Sequence, residues 1–200
     1  MSYVATIGFF DGVHTGHRYL ISRLREEASH RGLDSAILTF EQHPETVLRG
    51  TPKPLLTTFS ERTALLKAQG VTEIFCFNFE VIQLMTAREF MQILHNNCGV
   101  RVLLMGYDHR FGSDQMSRIE DYQAEAAQVG LTIMPIDQAP EGAVSSSMIR
   151  RALQRGAIES ANIMLGYTYQ LCGTVAHGRG LGRELGFPTA NIVPDDGKML

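Results

Sequence analysis

His14 and His17 stand three residues apart, with Gly16 between them, in the run Gly8-Phe9-Phe10-Asp11-Gly12-Val13-His14-Thr15-Gly16-His17. Side chains three apart at the entry of a helix project to one side, and a glycine there lets a ligand approach the backbone closely. Two imidazole donors beside the free N–H groups and positive dipole end of a helix make a cradle for polyphosphate. Two surface histidines, or half of a metal site, are the bland alternatives, but no cysteine or carboxylate cluster adjoins the pair. A second signal is Val144-Ser145-Ser146-Ser147-Met148-Ile149-Arg150. Hydroxyls at a helix start accept phosphate, and Arg150, three positions after Ser147, can return over the same end as a fixed cation. Alone, this run is a serine N-cap followed by a solvated arginine pair, Arg150 and Arg151. It gains weight from the histidine run.

Such groups need a frame. Short apolar runs rich in β-branched and aromatic residues, at 3–9, 35–40, 73–79, 100–105 and 131–136, alternate with stretches of helical period. That alternation is the mark of βα units on a parallel sheet. A helix expected over 17–30 puts Leu20, Leu24 and Ala28 on one face and Arg23, Glu26 and Glu27 away from it, and Gly32 stops it. The histidine run therefore falls outside the carboxyl end of the first strand, where parallel sheets bind ligands. Asp108 and Phe111 follow the fourth strand at the same edge, and His43 follows the second, aimed outward by the extended geometry that Pro44 favours. Thr86-Ala87-Arg88-Glu89 reads as a capping box with Met85 and Phe90 as its staple, and Ser117-Arg118-Ile119-Glu120 is expected to open a helix in the same way. A helical pair, 147–154 and 157–165, is split by Gly156. After Gly166 the texture becomes glycine-punctuated and strand-like, which sets a boundary between units 1–166 and 167–200.

Composition narrows the function classes. The chain has 200 residues, net charge −3, 44% hydrophobic and 20% charged residues, which excludes a collagen-like, disordered or polybasic chain. A mildly acidic molecule does not hold a nucleic-acid backbone through its overall field, so no nucleic-acid partner is expected and an anionic ligand must be held by local donors. Cys76, Cys98 and Cys172 are odd in number and far apart, without a Cys-x-x-Cys pair, which fits a reducing cytoplasm. The first residues lack the features of a signal peptide, and no stretch nears the ~20 apolar residues of a membrane span, so no membrane association is expected.

His14-Thr15-Gly16-His17 together with Ser146-Ser147-Met148-Ile149-Arg150 resembles the paired signatures of the nucleotidylyltransferase superfamily, which moves a nucleotidyl group from a nucleoside triphosphate to a phosphate acceptor. Gly8 to His14, Thr39-Phe40-Glu41-Gln42-His43-Pro44, Gly106-Tyr107-Asp108-His109-Arg110-Phe111-Gly112 and Gly182-Arg183-Glu184-Leu185-Gly186-Phe187-Pro188-Thr189-Ala190-Asn191 narrow the resemblance. The ordered set is similar, over essentially the whole chain, to the bacterial bifunctional riboflavin kinase/FMN adenylyltransferase family, the FAD synthetases.

The resemblance implies a Rossmann-like α/β domain with a parallel sheet that makes FAD and pyrophosphate from FMN and ATP, followed by the start of a riboflavin kinase β-barrel. It implies catalytic roles for His14, His17 and Arg150. ATP binding would fall to Gly8, Phe9, Asp11, Gly16, Ser146 and Ser147, and a flavin or adenine pocket to His43, Pro44, Asp108 and Phe111. Mg²⁺ would accompany ATP, held largely by phosphates and water. Thr189 and Asn191 match residues that hold Mg-ATP in the kinase barrel, whose substrate is riboflavin. There are departures: Gln42 stands where proline is common, Ser147 where threonine is, His109 where phenylalanine is, and 113–115 lacks a basic residue. Two alternatives stay open, another nucleotidylyltransferase with a pantetheine phosphate, nicotinamide mononucleotide or alcohol phosphate acceptor, and a non-catalytic nucleotide-binding module. Roughly 35 residues after Gly166 do not close a barrel. That segment is expected to be mobile, with strands lacking partners, and riboflavin kinase activity is expected only of a longer parent protein. The sequence leaves the oligomeric state open.

Overall fold

The computed structural model describes residues 1–106, 109–137, 144–195 and 197–200. In chain order the elements are β1 (Tyr3–Ile7), α1 (Thr15–Arg31), β2 (Asp34–Phe40), α2 (Pro44–Arg49), α3 (Phe59–Ala68), β3 (Glu73–Phe77), α4 (Phe79–Ile82), α5 (Ala87–Asn96), β4 (Val100–Gly106), α6 (Ile119–Gln128), β5 (Thr132–Ile136), α7 (Ser146–Gln154), α8 (Ile158–Leu165), β6 (Gly173–Ala176), α9 (Leu181–Glu184) and β7 (Asn191–Pro194). The first five strands form one parallel sheet in the order β3-β2-β1-β4-β5. Every residue of β1 is buried, as expected of a central strand covered on both faces. On one face Ala5, Leu38 and Leu103 pack with Phe90, Leu94 and Tyr122 of α5 and α6. On the other, Val4, Ile37 and Leu104 pack with Ile21, Leu24 and Leu66 of α1 and α3. The chain leaves β1 toward β2 on one side, and β4 lies on the other, so the strand order reverses between β1 and β4. That switch point opens a crevice at the carboxyl ends of the strands, and residues 8–14 start in it.

The expected strands are all present with adjusted ends. β1 stops at Ile7, because Phe10 and Val13 take positive φ values of 58° and 38° that no strand contains. β3 stops at Phe77, because the Asn78 side chain accepts from the Glu80 N–H and turns 79–82 into a helix. α1 starts at Thr15, earlier than 17, and its buried stripe is Ile21, Leu24 and Ala28, with Leu20 only half-buried. Gly32 closes it at φ 64°, the left-handed value glycine accepts. The Thr86–Glu89 capping box forms in both directions. The one expected at Ser117 does not: Arg118 is the N-cap, no side chain caps it, and Glu120 pairs with Arg118 at 3.3 Å. The helical pair runs from Ser146 and from Ile158 and ends where expected.

After Gly166 the expectation of partnerless strands is corrected. β6 and β7 pair with each other, antiparallel, from Gly173–Pro194 to Ala176–Asn191. Their surroundings are thin, since Val175, Phe187 and Ile192 are all more than half exposed. The ends of the segment are held, however. Met199 is buried in a third apolar cluster with Leu56, Ile149, Leu153, Ala161 and Leu165, against which Tyr167 and Tyr169 pack. Among the described residues no helix is long and apolar enough to cross a membrane.

Candidate active site

The site is organised around Asp11, which is 2% exposed. Its Oδ2 accepts from the Leu56 N–H at 3.0 Å and from the Arg150 Nη2, and its Oδ1 accepts from the Thr57 N–H at 3.0 Å and the Thr57 hydroxyl at 3.1 Å. Four donors fill the acceptor positions of the carboxylate, which fixes it as the floor of the site. Arg150 is buried as well and donates through Nε to the Pro54 carbonyl at 2.7 Å. A buried charge pair is held by further hydrogen bonds, here from Leu56 and Thr57 to Asp11 and from Arg150 to Pro54. The Ser146 hydroxyl donates to the Asp11 carbonyl at 3.0 Å, so the serine run and the histidine run are joined through one residue. Gly12, at φ 79°, permits the close approach: a Cβ there would stand 2.9 Å from Leu56 Cδ1.

His14 is the N-cap of α1, with its Nδ1 accepting from the His17 N–H at 3.4 Å. An accepting Nδ1 leaves the proton of the neutral ring on Nε2, which makes Nε2–H the outward donor. The His14 and His17 rings stack at 3.6 Å between centroids, 19° from parallel, with Phe10 edge-on to His17. Burial lowers the His14 pKa to about 4, against the opposing pull of Asp11. Burial and the neighbouring His14 lower His17 well below its ordinary value. Both imidazoles are neutral donors at pH 7, and the buried His17 Nδ1 has no hydrogen-bond partner among the described residues. Neither α1 nor α7 carries an acidic residue in its first turn, which leaves both helix starts favourable to an anion. They lie together, because a Cβ on Gly16 would sit 3.3 Å from the His14 ring and 3.4 Å from the Val144 carbonyl that leads into α7. Ser145 is the N-cap of α7, and Ser147 is exposed beside it.

Next to this cradle lies a cavity of about 460 Å³ at the carboxyl edge of the sheet, lined by Gly8, Phe9, Phe40, Pro44, Leu48, Phe79 and Phe111. Phe9 faces the His43 ring at 4.6 Å, and the Arg62 guanidinium lies 3.9 Å from the Phe9 centroid. His43 caps α2 by accepting from the Glu45 N–H at 3.1 Å, with Pro44 in the first turn. Burial, then the charges of Lys53 and Arg150, lower its pKa to about 4. Phe111 is fixed by its backbone, whose N–H donates to the Tyr122 hydroxyl at 3.0 Å while that hydroxyl donates to the Phe111 carbonyl at 2.7 Å. Asp108 lies outside the described residues. Thr189 and Asn191 are exposed and line a separate cavity of about 300 Å³ with His177 and Arg183. Among the described residues no group of three or more His, Cys, Asp or Glu is arranged to hold a metal ion.

Sequence reading missed Thr57, Arg62, Tyr167, whose hydroxyl donates to the Gly12 carbonyl at 2.8 Å, and Lys198, whose ammonium donates to the Leu56 carbonyl. Thr57 was within reach, because Thr58 and Glu61 form a capping box that marks the start of α3 one residue after it. Arg62, fully buried with only one nitrogen bonded to Phe40 and Glu41 carbonyls, looks in sequence like any helix-surface arginine.

A five-stranded parallel sheet with paired helix starts at its switch point defines a nucleotidylyltransferase-like α/β protein. The crystal structure of TmcAL from Thermotoga maritima, titled as bound with alpha-thio ATP, shares this fold with TM-score 0.58 at 10% identity, covering 82% of this chain and 53% of that one. A structure titled as a macrolide-efflux protein from Streptococcus pneumoniae superposes with TM-score 0.81 at 28% identity, covering 98% of this chain and 66% of that one. Residues 1–148 match the family model described as FAD synthetase, and residues 165–200 match that of riboflavin kinase. The bifunctional riboflavin kinase/FMN adenylyltransferase of Listeria monocytogenes is 34% identical over 197 residues, and that of Escherichia coli 35% over 194. Each match covers 94% of this chain and 62% of the relative, so the chain spans about three fifths of their length. The chain belongs to the FAD synthetase family: it carries the FMN adenylyltransferase domain and a shorter flavokinase segment.

Proposed function

We propose that this chain transfers the adenylyl group of ATP to the phosphate of FMN, giving FAD and pyrophosphate. The observation that carries this reading is the meeting of the two helix starts over Asp11, with neutral His14 and His17 on one and Arg150 on the other. The triphosphate lies across the two helix starts, His14 Nε2–H donates to it, and the flavin ring enters the aromatic cavity beside them. An oxygen of the FMN phosphate attacks the α-phosphorus in line, a new P–O–P link forms, and the bond to the β-phosphate oxygen breaks. Charge that builds on the departing pyrophosphate meets donors already aimed at it, so no covalent enzyme intermediate is needed. Mg²⁺ belongs to ATP as substrate, held largely by phosphates and water.

The aromatic lining of the cavity favours a flat ring acceptor over pantetheine phosphate or an alcohol phosphate. The match of 165–200 to riboflavin kinase supports riboflavin as a second substrate only for a chain that completes that domain. We place the protein in the cytoplasm, where its three free thiols are at home. Purified chain supplied with FMN, ATP and Mg²⁺ is expected to release pyrophosphate and FAD together. Product with another phosphate acceptor but none with FMN would overturn the reading.

A further inference from the structure

The flavokinase-matching segment ends against the adenylyltransferase site. Leu55 forms a parallel bridge with Lys198, its N–H donating to the Gly197 carbonyl at 2.7 Å and its carbonyl accepting from the Met199 N–H at 2.8 Å. Leu56 comes next, and it is held from both sides. Its N–H donates to Asp11, and its carbonyl accepts from the Lys198 ammonium at 2.8 Å. That ammonium is buried, pairs with Glu61 at 2.6 Å and lies 4.8 Å from the centroid of the Tyr169 ring. Burial works to raise the Glu61 pKa, and the Lys198 and Thr58 hydrogen bonds outweigh it, leaving the carboxyl below its usual range. The Tyr169 hydroxyl donates to the Met199 carbonyl at 2.6 Å, and Met199 is buried in the cluster that contains Ile149, the residue before Arg150.

We propose that Lys198 is a positioning residue for adenylyl transfer: by gripping the Leu56 carbonyl it sets the peptide that orients Asp11, and through Asp11 the guanidinium of Arg150. This rests on the reading of the function given above. A buried ammonium is costly unless it is paired, and Lys198 meets that cost with two acceptors that serve the 55–61 segment alone. Small displacements of a phosphate-facing cation slow transfer steeply, whereas the aromatic cavity is not lined by Lys198 or Leu56. The signature is therefore a loss in kcat with little change in the KM for FMN.

The test compares the unaltered 200-residue chain with Lys198→Met, Glu61→Gln and Tyr169→Phe, by FAD formation under saturating substrates and by hydrogen exchange of the Leu56 and Thr57 amides. Lys198→Met is expected to lower kcat roughly 10-fold, to keep the KM for FMN within about 2-fold, and to speed exchange at both amides about 10-fold. Glu61→Gln leaves the Leu56 contact in place but takes the counter-charge from a buried ammonium, so it is expected to lower stability while costing at most about 3-fold in the kcat of folded protein. Should Lys198→Met not fold, Tyr169→Phe, which removes one hydroxyl, carries the test with a loss of roughly 3-fold in kcat and the same amide signature. Unchanged kcat with active unaltered chain overturns the proposal whatever the exchange rates, and so does a KM effect at constant kcat. No FAD from the unaltered chain indicts the proposed function instead. Exchange then decides the positioning link, accelerated amides supporting it and unchanged amides overturning it.

Discussion

The run at 8–17 and the run at 177–191 both mix glycine, histidine or arginine with small polar residues, yet the chain holds them by different means. At Asp11 the partners come from 45 to 139 residues away, and the hydrogen bonds that hold them are buried. Around Thr189 and Asn191 the main support is a four-residue antiparallel pairing of β6 with β7, with apolar side chains such as Val175 and Phe187 left exposed. A motif is a list of groups. What makes it a site is long-range contact that fixes those groups before a ligand arrives, and among the described residues only the first run has that.

From that difference, the largest effects fall on the histidines. His14→Ala or His17→Ala is expected to lower the turnover of FAD formation by roughly 10²–10³-fold while nucleotide binding changes far less. Near-normal turnover in either variant would remove the histidines of the first run from the reaction.

Arg150 comes next. Its Nε and Nη2 reach different partners, Pro54 and Asp11, a geometry a single ammonium does not reproduce. Arg150→Lys is expected to recover little of the activity that Arg150→Ala loses. Arg150→Ala also leaves a buried carboxylate without its cation and is expected to cost about 3–5 kcal/mol in urea unfolding. Arg151, exposed on the same helix, is the control, with a cost within about 0.5 kcal/mol. Equal losses at the two arginines would erase the contrast.

The pH dependence of stability sharpens it further. The His14 pKa is about 4 when folded and ordinarily 6.5, so between those values the unfolded chain binds the extra proton. Stability therefore falls as pH drops through 6.5 and levels off below about 4, a loss of up to roughly 3 kcal/mol from this residue. His14→Asn keeps a capping side chain without the titration, and its unfolding free energy is expected to be flatter over pH 7 to 4. A parallel pH curve would mean that His14 is not buried neutral.

The smallest effect concerns the second run. Trypsin is expected to nick at the exposed Arg179 and Arg183 well before Lys198, whose ammonium is buried against Leu56 and Glu61. Cleavage at Lys198 first would show that the end of the chain is as loosely held as the β6–β7 pair.

The parts of this molecule that were legible in sequence are local. The five strands show as bounded apolar runs, and Thr86 with Glu89 declares a helix start because both bonds lie within four residues. The same pattern at Ser117 misled because Arg118, not Ser117, takes the N-cap and its side chain pairs with Glu120. His14 and His17 were legible as a pair, but nothing local says that Asp11 faces Thr57 and Arg150, 46 and 139 residues on. Lys198 reads as an exposed lysine near Leu200, and only the bridge to Leu55 buries it. The pairing of β6 with β7 was lost to the assumption that so short a segment has no internal partner.

The central claim is that phosphate chemistry at His14, His17 and Arg150 joins AMP to FMN. It is tested most directly by supplying the chain with FMN, Mg²⁺ and ATP labelled at the α-phosphorus. The expected result is label in FAD and none in the pyrophosphate released. Label that remains in ATP or ADP, or that passes to another phosphate acceptor while FMN is left untouched, would contradict it.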